Sequence, residues 1–297
     1  MAALAKTVKR LSEISVKDYI NPYSHLRWPE LLDESQWFTS PELISLYGTR
    51  WYEGLSEEER KRLSFYEAVN FFSLNIHGEK SLIEGLAARL YKKGNDEISP
   101  YLHHFLDEEN KHMIYFGTFC MKYAGKIYPD KKVVFPREYA RGEEDFLFFS
   151  KVLIFEEIVD VYNITMAVDE RLAEVARQIN LLHHRDEARH LVFGRLIVKE
   201  LFARYSPTWS QETLLGVRDY LKSYFLATWK EYYNPAVYRD SGSDSPYELM
   251  EEAFESDSAR EHRKRISKGC VEFFLANGIL DEEPLYEDRS RDTTELA

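Results

Sequence analysis

Residues 182–190 read Leu182-His183-His184-Arg185-Asp186-Glu187-Ala188-Arg189-His190. The stretch closes on Glu187-x-x-His190, and a second Glu-x-x-His lies upstream at Glu109-x-x-His112. On a helix a residue and its i+3 neighbour share a face, so carboxylate and imidazole reach one point together. In a chain with 51 acids and nine histidines such pairs also arise by chance, and the pattern gains its weight from its setting. Each pair lies in an apolar stripe, with Phe105, Phe116 and Cys120 around the first and Leu182, Val192, Phe193 and Ile197 around the second. A carboxylate buried there without a partner is costly.

Working outward, each pair has a glutamate on the preceding helical segment at a matching distance. Glu79 stands 30 residues before Glu109 and Glu156 stands 31 before Glu187, so the two halves are offset by 77 and 78 residues. Glu79 falls on the face defined by Phe72, Ile76, Ile83 and Leu90, and Glu156 lies near Phe149 and Leu153. Glu84 and Glu157 are their rivals. Four glutamates and two histidines converging inside a four-helix bundle form the ligand arrangement of di-iron carboxylate proteins. The plainer reading of the same residues is a buried polar network without metal. His183 precedes Glu187 by four, which puts His183, Glu187 and His190 on one face; it is either a ligand or an imidazole that holds Glu187. His25, His77, His103, His104 and His184 read as solvated or internally satisfied.

The rest of the chain fits helices. Gly and Pro are scarce, at 13 and 10 of 297 residues, and apolar residues recur at spacings of three and four. Residues 1–60 form an N-terminal extension of brief helical pieces broken at Asn21-Pro22, Trp28-Pro29 and Ser40-Pro41. Long helices are expected from about Ser64 to Lys93, from an N-cap at Ser99 before Pro100 to about Tyr123, from Glu143 to Met166, and from Leu172 to Tyr205. A connection spans 125–142, with Pro129, Pro136 and the basic pair Lys131-Lys132. Ser206-Pro207 opens a fifth helix to Tyr233, a loop covers 234–246, and two more helices end at Asn277-Gly278. The expected fold is all-α, a ferritin-like four-helix bundle over 61–280 with additional N- and C-terminal helices, followed by an acidic flexible tail at 281–297.

Composition narrows the partners. The net charge of −12, with no separate basic block, argues against nucleic acid. No apolar run has the length of a signal peptide or a membrane span, so the expectation is a soluble, cytoplasmic protein. Cys120 and Cys270 are the only cysteines, and without CxxC spacing any metal falls to His and carboxylate.

At this point the chain resembles the p-aminobenzoate N-oxygenases, a branch of the ferritin-like di-iron oxygenases. The resemblance rests on the 182–190 stretch, on Glu156 standing 27 residues before His183, and on Glu79 followed by Glu84, and it covers about residues 65–205. It implies a seventh ligand, His183, one turn before the second Glu-x-x-His. It also implies an arginine from the C-terminal helices for a substrate carboxylate; among Arg260, Arg263 and Arg265, the distance to Gly278 favours Arg265. Phe71 stands where the family's substrate-contacting tyrosine is expected.

The implied function is that of a non-haem di-iron oxygenase. Glu79, Glu109 and His112 would hold one iron, and Glu156, His183, Glu187 and His190 the other, with glutamate bridging; manganese is the alternative metal. O₂ and an external electron donor would convert an aromatic amine through the hydroxylamine to the nitro compound, in a homodimer. Oxidation at carbon, by hydroxylation or desaturation, would use the same ligands. An iron-storage or other non-enzymatic protein would not need His183. The radical subunit of ribonucleotide reductase would place a tyrosine where this chain has Phe116.

Overall fold

The computed structural model describes residues 2–130, 138–284 and 286. Lys131, Lys132 and Pro136 of the expected connection lie outside the described residues, as does the tail beyond Pro284 except Tyr286. Among the described residues ten α-helices run in the order α1 Ala2–Lys17, α2 Arg50–Gly54, α3 Glu57–Ala87, α4 Ser99–Phe119, α5 Glu143–Val168, α6 Glu174–Tyr205, α7 Gln211–Tyr232, α8 Pro235–Asp240, α9 Pro246–Glu255 and α10 Asp257–Ala276. The same residues contain no strand. One isolated bridge, Trp37 to Leu172, clasps the N-terminal loop to the α5–α6 turn.

Two antiparallel hairpins, α3–α4 and α5–α6, pack face to face with a long connection between them, which is the ferritin-like four-helix core. α1 lies across α4 and α6, while α7 and α10 cover α5. That cover explains why α5 is apolar on nearly every side: Phe146, Leu153, Ile154, Ile158 and Val159 are all buried. In such a helix a carboxylate stands out, and Glu156 is one.

Helix ends differ from the sequence reading where local capping decides. α3 starts at Glu57 rather than near Ser64, because Ser56 and Glu59 form a reciprocal capping box and three glutamates occupy the first turn. Ser99 is not the N-cap of α4; that position is Ile98. The Ser99 hydroxyl instead donates to Asn95 O and accepts from Tyr91 N, tying the interhelical turn. α4 passes into a π turn, Cys120–Ala124, closed by Gly125 in the left-handed region at φ 66°. Ser206-Pro207 forms a 3₁₀ turn, and Ser210 caps α7. The 234–246 segment holds α8, capped by Asn234. α1 is a continuous helix of 16 residues that ends ahead of the expected break at Asn21-Pro22.

The tail expected to be flexible from Asp281 is docked over its described part. Asp281 meets Arg218, Glu282 meets Lys222, and Tyr286 O accepts from Arg263. Val192, expected inside the second apolar stripe, is half exposed, whereas Leu182, Phe193 and Ile197 are buried.

Candidate metal centre

All seven residues Glu79, Glu109, His112, Glu156, His183, Glu187 and His190 are at most 2% exposed. They form two overlapping groups of close donor atoms: Glu79, His112, His183 and Glu187 in one, Glu109, Glu156, Glu187 and His190 in the other. Helical spacing places them, with Glu109 and His112 one turn apart on α4 and His183, Glu187 and His190 on successive turns of α6.

Glu187 belongs to both groups. Its Oε1 lies 3.0 Å from His183 Nε2, 3.3 Å from His190 Nδ1 and 3.6 Å from His112 Nδ1. His183 Nε2 is also 3.4 Å from Glu79 Oε1, and Glu109 Oε1 is 3.0 Å from His190 Nδ1. The grouping thus differs from the expectation: His183 falls with Glu79 and His112, and Glu109 falls with Glu156. The reason is level, because His183 sits one turn N-terminal to Glu187 and meets Glu79 across the bundle.

A second ring of polar groups fixes the imidazoles. His112 Nε2 lies 3.3 Å from Asp186 Oδ2, and His190 Nε2 lies 2.8 Å from Glu108 Oε2. The Asn163 amide is 2.9 Å from His183 Nδ1. Such partners fix which ring nitrogen faces the centre: Nδ1 for His112 and His190, Nε2 for His183. Arg189 bridges Glu108 and Asp186, and Lys111, itself buried, lies 3.3 Å from Asp186. The acid before each Glu-x-x-His therefore serves the histidine of the other motif, and the base before each histidine neutralises these acids. The sequence reading missed Glu108, Lys111, Asp186, Arg189 and Asn163. The signal for the first four was the repeated pattern acid-Glu-x-base-His.

Burial and mutual proximity shift the protonation of these groups. Burial, with Glu79 close by, pushes Glu109 well above the carboxylate range. Burial, with Glu187 close by, does the same to Glu156. Burial opposes ionisation of Glu187 too, but His190 and His183 outweigh it and hold that carboxyl low. Burial would lower His183, yet Glu187 and Glu79 push it up to about 9. Burial lowers His112.

Among the described residues neither carboxylate oxygen of Glu156 has a hydrogen-bond partner, and the same holds for Glu187 Oε2. Glu108 and Asp186 are balanced by Arg189 and Lys111, whereas among the described residues no lysine or arginine pairs with the four ligand carboxylates, which have only the three histidines beside them. Two divalent cations would neutralise them, and a carboxylate-imidazole donor set suits iron or manganese. The residues fit such a pair.

The rivals do not join the cluster. Glu84 is exposed, and Glu157 is held by Arg195. Arg265 is not brought to it either: it lies exposed on α10, with Nη2 3.2 Å from His262 Nδ1. Arg263 is the buried arginine of that helix, committed to Tyr233, Phe254 O and Tyr286 O. Phe105 stacks on His190 with ring centroids 3.9 Å apart, and Phe116 meets the edge of His183. Tyr115, beside Phe116, is also buried.

The family model for P-aminobenzoate N-oxygenase AurF matches residues 2–278. A search of curated proteins finds no match. Among solved structures, an R2-like ligand-binding oxidase from Sulfolobus acidocaldarius is similar at 15% identity and a TM-score of 0.43, over 94% of this chain and 92% of that one. Among the described residues no helix is long and apolar enough to cross a membrane.

Proposed function

From the premise that the chain belongs to the P-aminobenzoate N-oxygenase AurF family of di-iron oxygenases, we propose that it oxidises the nitrogen of an aromatic amine with O₂. Glu79, Glu109, His112, Glu156, His183, Glu187 and His190 would hold two iron ions, Glu187 being the residue common to both donor groups. The iron pair supplies the redox chemistry that activates O₂. Amine, O₂, two electrons and two protons give hydroxylamine and water, so an electron donor outside the chain is required; further oxidation of the same nitrogen leads to the nitro compound.

The chain's own part is preorganisation. Asp186 and Glu108 orient His112 and His190, Asn163 orients His183, and Phe105 and Phe116 keep water from the imidazoles. The observation that carries the reading is the set of four buried carboxylates grouped with three buried histidines, none of them paired with Lys111 or Arg189, which serve Asp186 and Glu108. The test combines metal analysis with mass spectrometry of iron-loaded protein given p-aminobenzoate, other arylamines, reductant and O₂. Two irons per chain and an oxygenated nitrogen product are expected. Two irons with no such product across the panel would move the activity to carbon.

A further inference from the structure

α1 lies across α4 and α6, the two helices that carry five of the seven proposed ligands. Its inner face is packed: Leu4, Val8, Leu11 and Ser15 are buried. Its outer face holds Lys6, Lys9, Arg10 and Lys17, all exposed, with Glu13 as the acid among them. In sequence these cations are interleaved with other residues, and only the helical period gathers them on one side, over about 16 Å from Lys6 to Lys17. Among the described residues none of the four is paired with a carboxylate. Residues 1–19 carry four basic and two acidic side chains, a net of +2 in a chain whose total is −12.

At the C-terminal end of this face a route leads inward. Tyr19, two residues past Lys17, is 57% exposed, and the centre of its ring lies 5.2 Å from Lys111 Nζ of α4. Lys111 Nζ lies 3.3 Å from Asp186 Oδ2, and Asp186 Oδ2 lies 3.3 Å from His112 Nε2. Three successive contacts thus join a solvent-facing ring to a proposed metal ligand. Electron tunnelling favours such close contacts over open gaps.

We propose that the outer face of α1 is the docking surface for a small, acidic one-electron carrier protein, and that electrons enter by way of Tyr19, Lys111 and Asp186. The inference rests on the oxygenase reading, which requires an electron donor outside the chain. In each encounter the reduced carrier loses one electron and one ferric ion gains it, with no bond made or broken, so two encounters return the iron pair to the ferrous state. On a chain that otherwise repels acidic proteins, a basic face steers such a carrier to one place, the side of the bundle where α4 and α6 hold the ligands. An anionic membrane would instead require the apolar face of an amphipathic helix, and in α1 that face is already packed on α4 and α6.

The test is stopped-flow reduction of the diferric protein, without O₂, by a reduced plant-type [2Fe–2S] ferredoxin of acidic surface, with reduced methyl viologen as a small reductant that needs no docking face. The ferredoxin rate should fall steeply with added salt. Lys6→Glu with Arg10→Glu should slow it about tenfold at low salt and flatten that salt dependence, whereas Lys264→Glu with Lys268→Glu on α10, an equal change of net charge, should keep it within about twofold. Neither pair should alter the viologen rate. Tyr19→Leu should lower the limiting rate at saturating ferredoxin and leave the half-saturating concentration unchanged. Equal slowing by the two double variants, a parent rate indifferent to salt, or no transfer from ferredoxin to iron that viologen reduces would overturn the docking face. An unchanged limiting rate in Tyr19→Leu would overturn the entry route. Binding of the parent to phosphatidylserine vesicles, lost in Lys6→Glu with Arg10→Glu while the ferredoxin rate is kept, would give the face to a membrane and overturn the proposal. Iron that viologen itself cannot reduce would sink the oxygenase reading, and the docking face with it.

Discussion

Glu187 Oε1 lies within 3.6 Å of nitrogen atoms from all three histidines, whereas His183 serves only one of the two donor groups. Glu187→Ala should therefore deplete both ions and His183→Ala only one, which metal analysis per chain will check; two irons retained in either variant would contradict the ligand set. Glu108→Gln and Asp186→Asn should each cost about 10- to 100-fold in metal affinity, read by chelator competition. Elsewhere, Glu67 is buried against Ser45, and burial raises its carboxyl to about 7 despite the Ser45 hydrogen bonds. Between about pH 4.5 and 7 the folded state then binds more protons than the unfolded one. Its stabilising contribution is complete below that window and is lost as pH rises through about 7. The stability of the parent relative to Glu67→Gln should fall across the window by at most about 3 kcal/mol, measured by urea unfolding at several pH values. The seven clustered residues were legible because carboxylate and imidazole at helical spacing in apolar stripes are too costly to bury unless they share a cation. The inward-facing arginine was not legible. Arg260, Arg263 and Arg265 share one helix, and which of them turns in depends on how α10 docks on α5 and on Tyr286 arriving from the tail.

At the scale of elements, α3 and α5 approach closely through two glycines, Gly78 under Phe155 and Gly85 under Phe148. Alanine at position 85 gains about 1 kcal/mol of helix propensity but would place its Cβ 2.0 Å from the Phe148 ring. Gly85→Ala should on balance destabilise the protein by about 1–3 kcal/mol, seen as a lower urea midpoint at unchanged slope. The existence and order of the long helices follow from periodicity, but their ends do not. Ser99 has the composition of an N-cap and serves the preceding turn instead, and the π turn at Cys120–Ala124 leaves no mark on a pattern of apolar residues.

For the whole molecule, metal and fold are linked, because ligands so deeply buried are assembled only in the folded state. Adding Fe(II) anaerobically to the metal-free protein should raise its melting temperature by about 5 °C or more, as far as binding to the folded state alone dictates. An unchanged melting temperature at saturating metal would argue that the cluster is a structural polar network. The crossed second ring has a further meaning for assembly. His112 of the first hairpin leans on Asp186 of the second, and His190 of the second leans on Glu108 of the first. Although the two halves repeat each other at an offset of 77 and 78 residues, neither carries a complete copy of the site. Each hairpin supplies the proton-holding partner that the other lacks, so two separated hairpins would be interdependent halves of one centre, and metal would act as a reporter that the correct pair has closed.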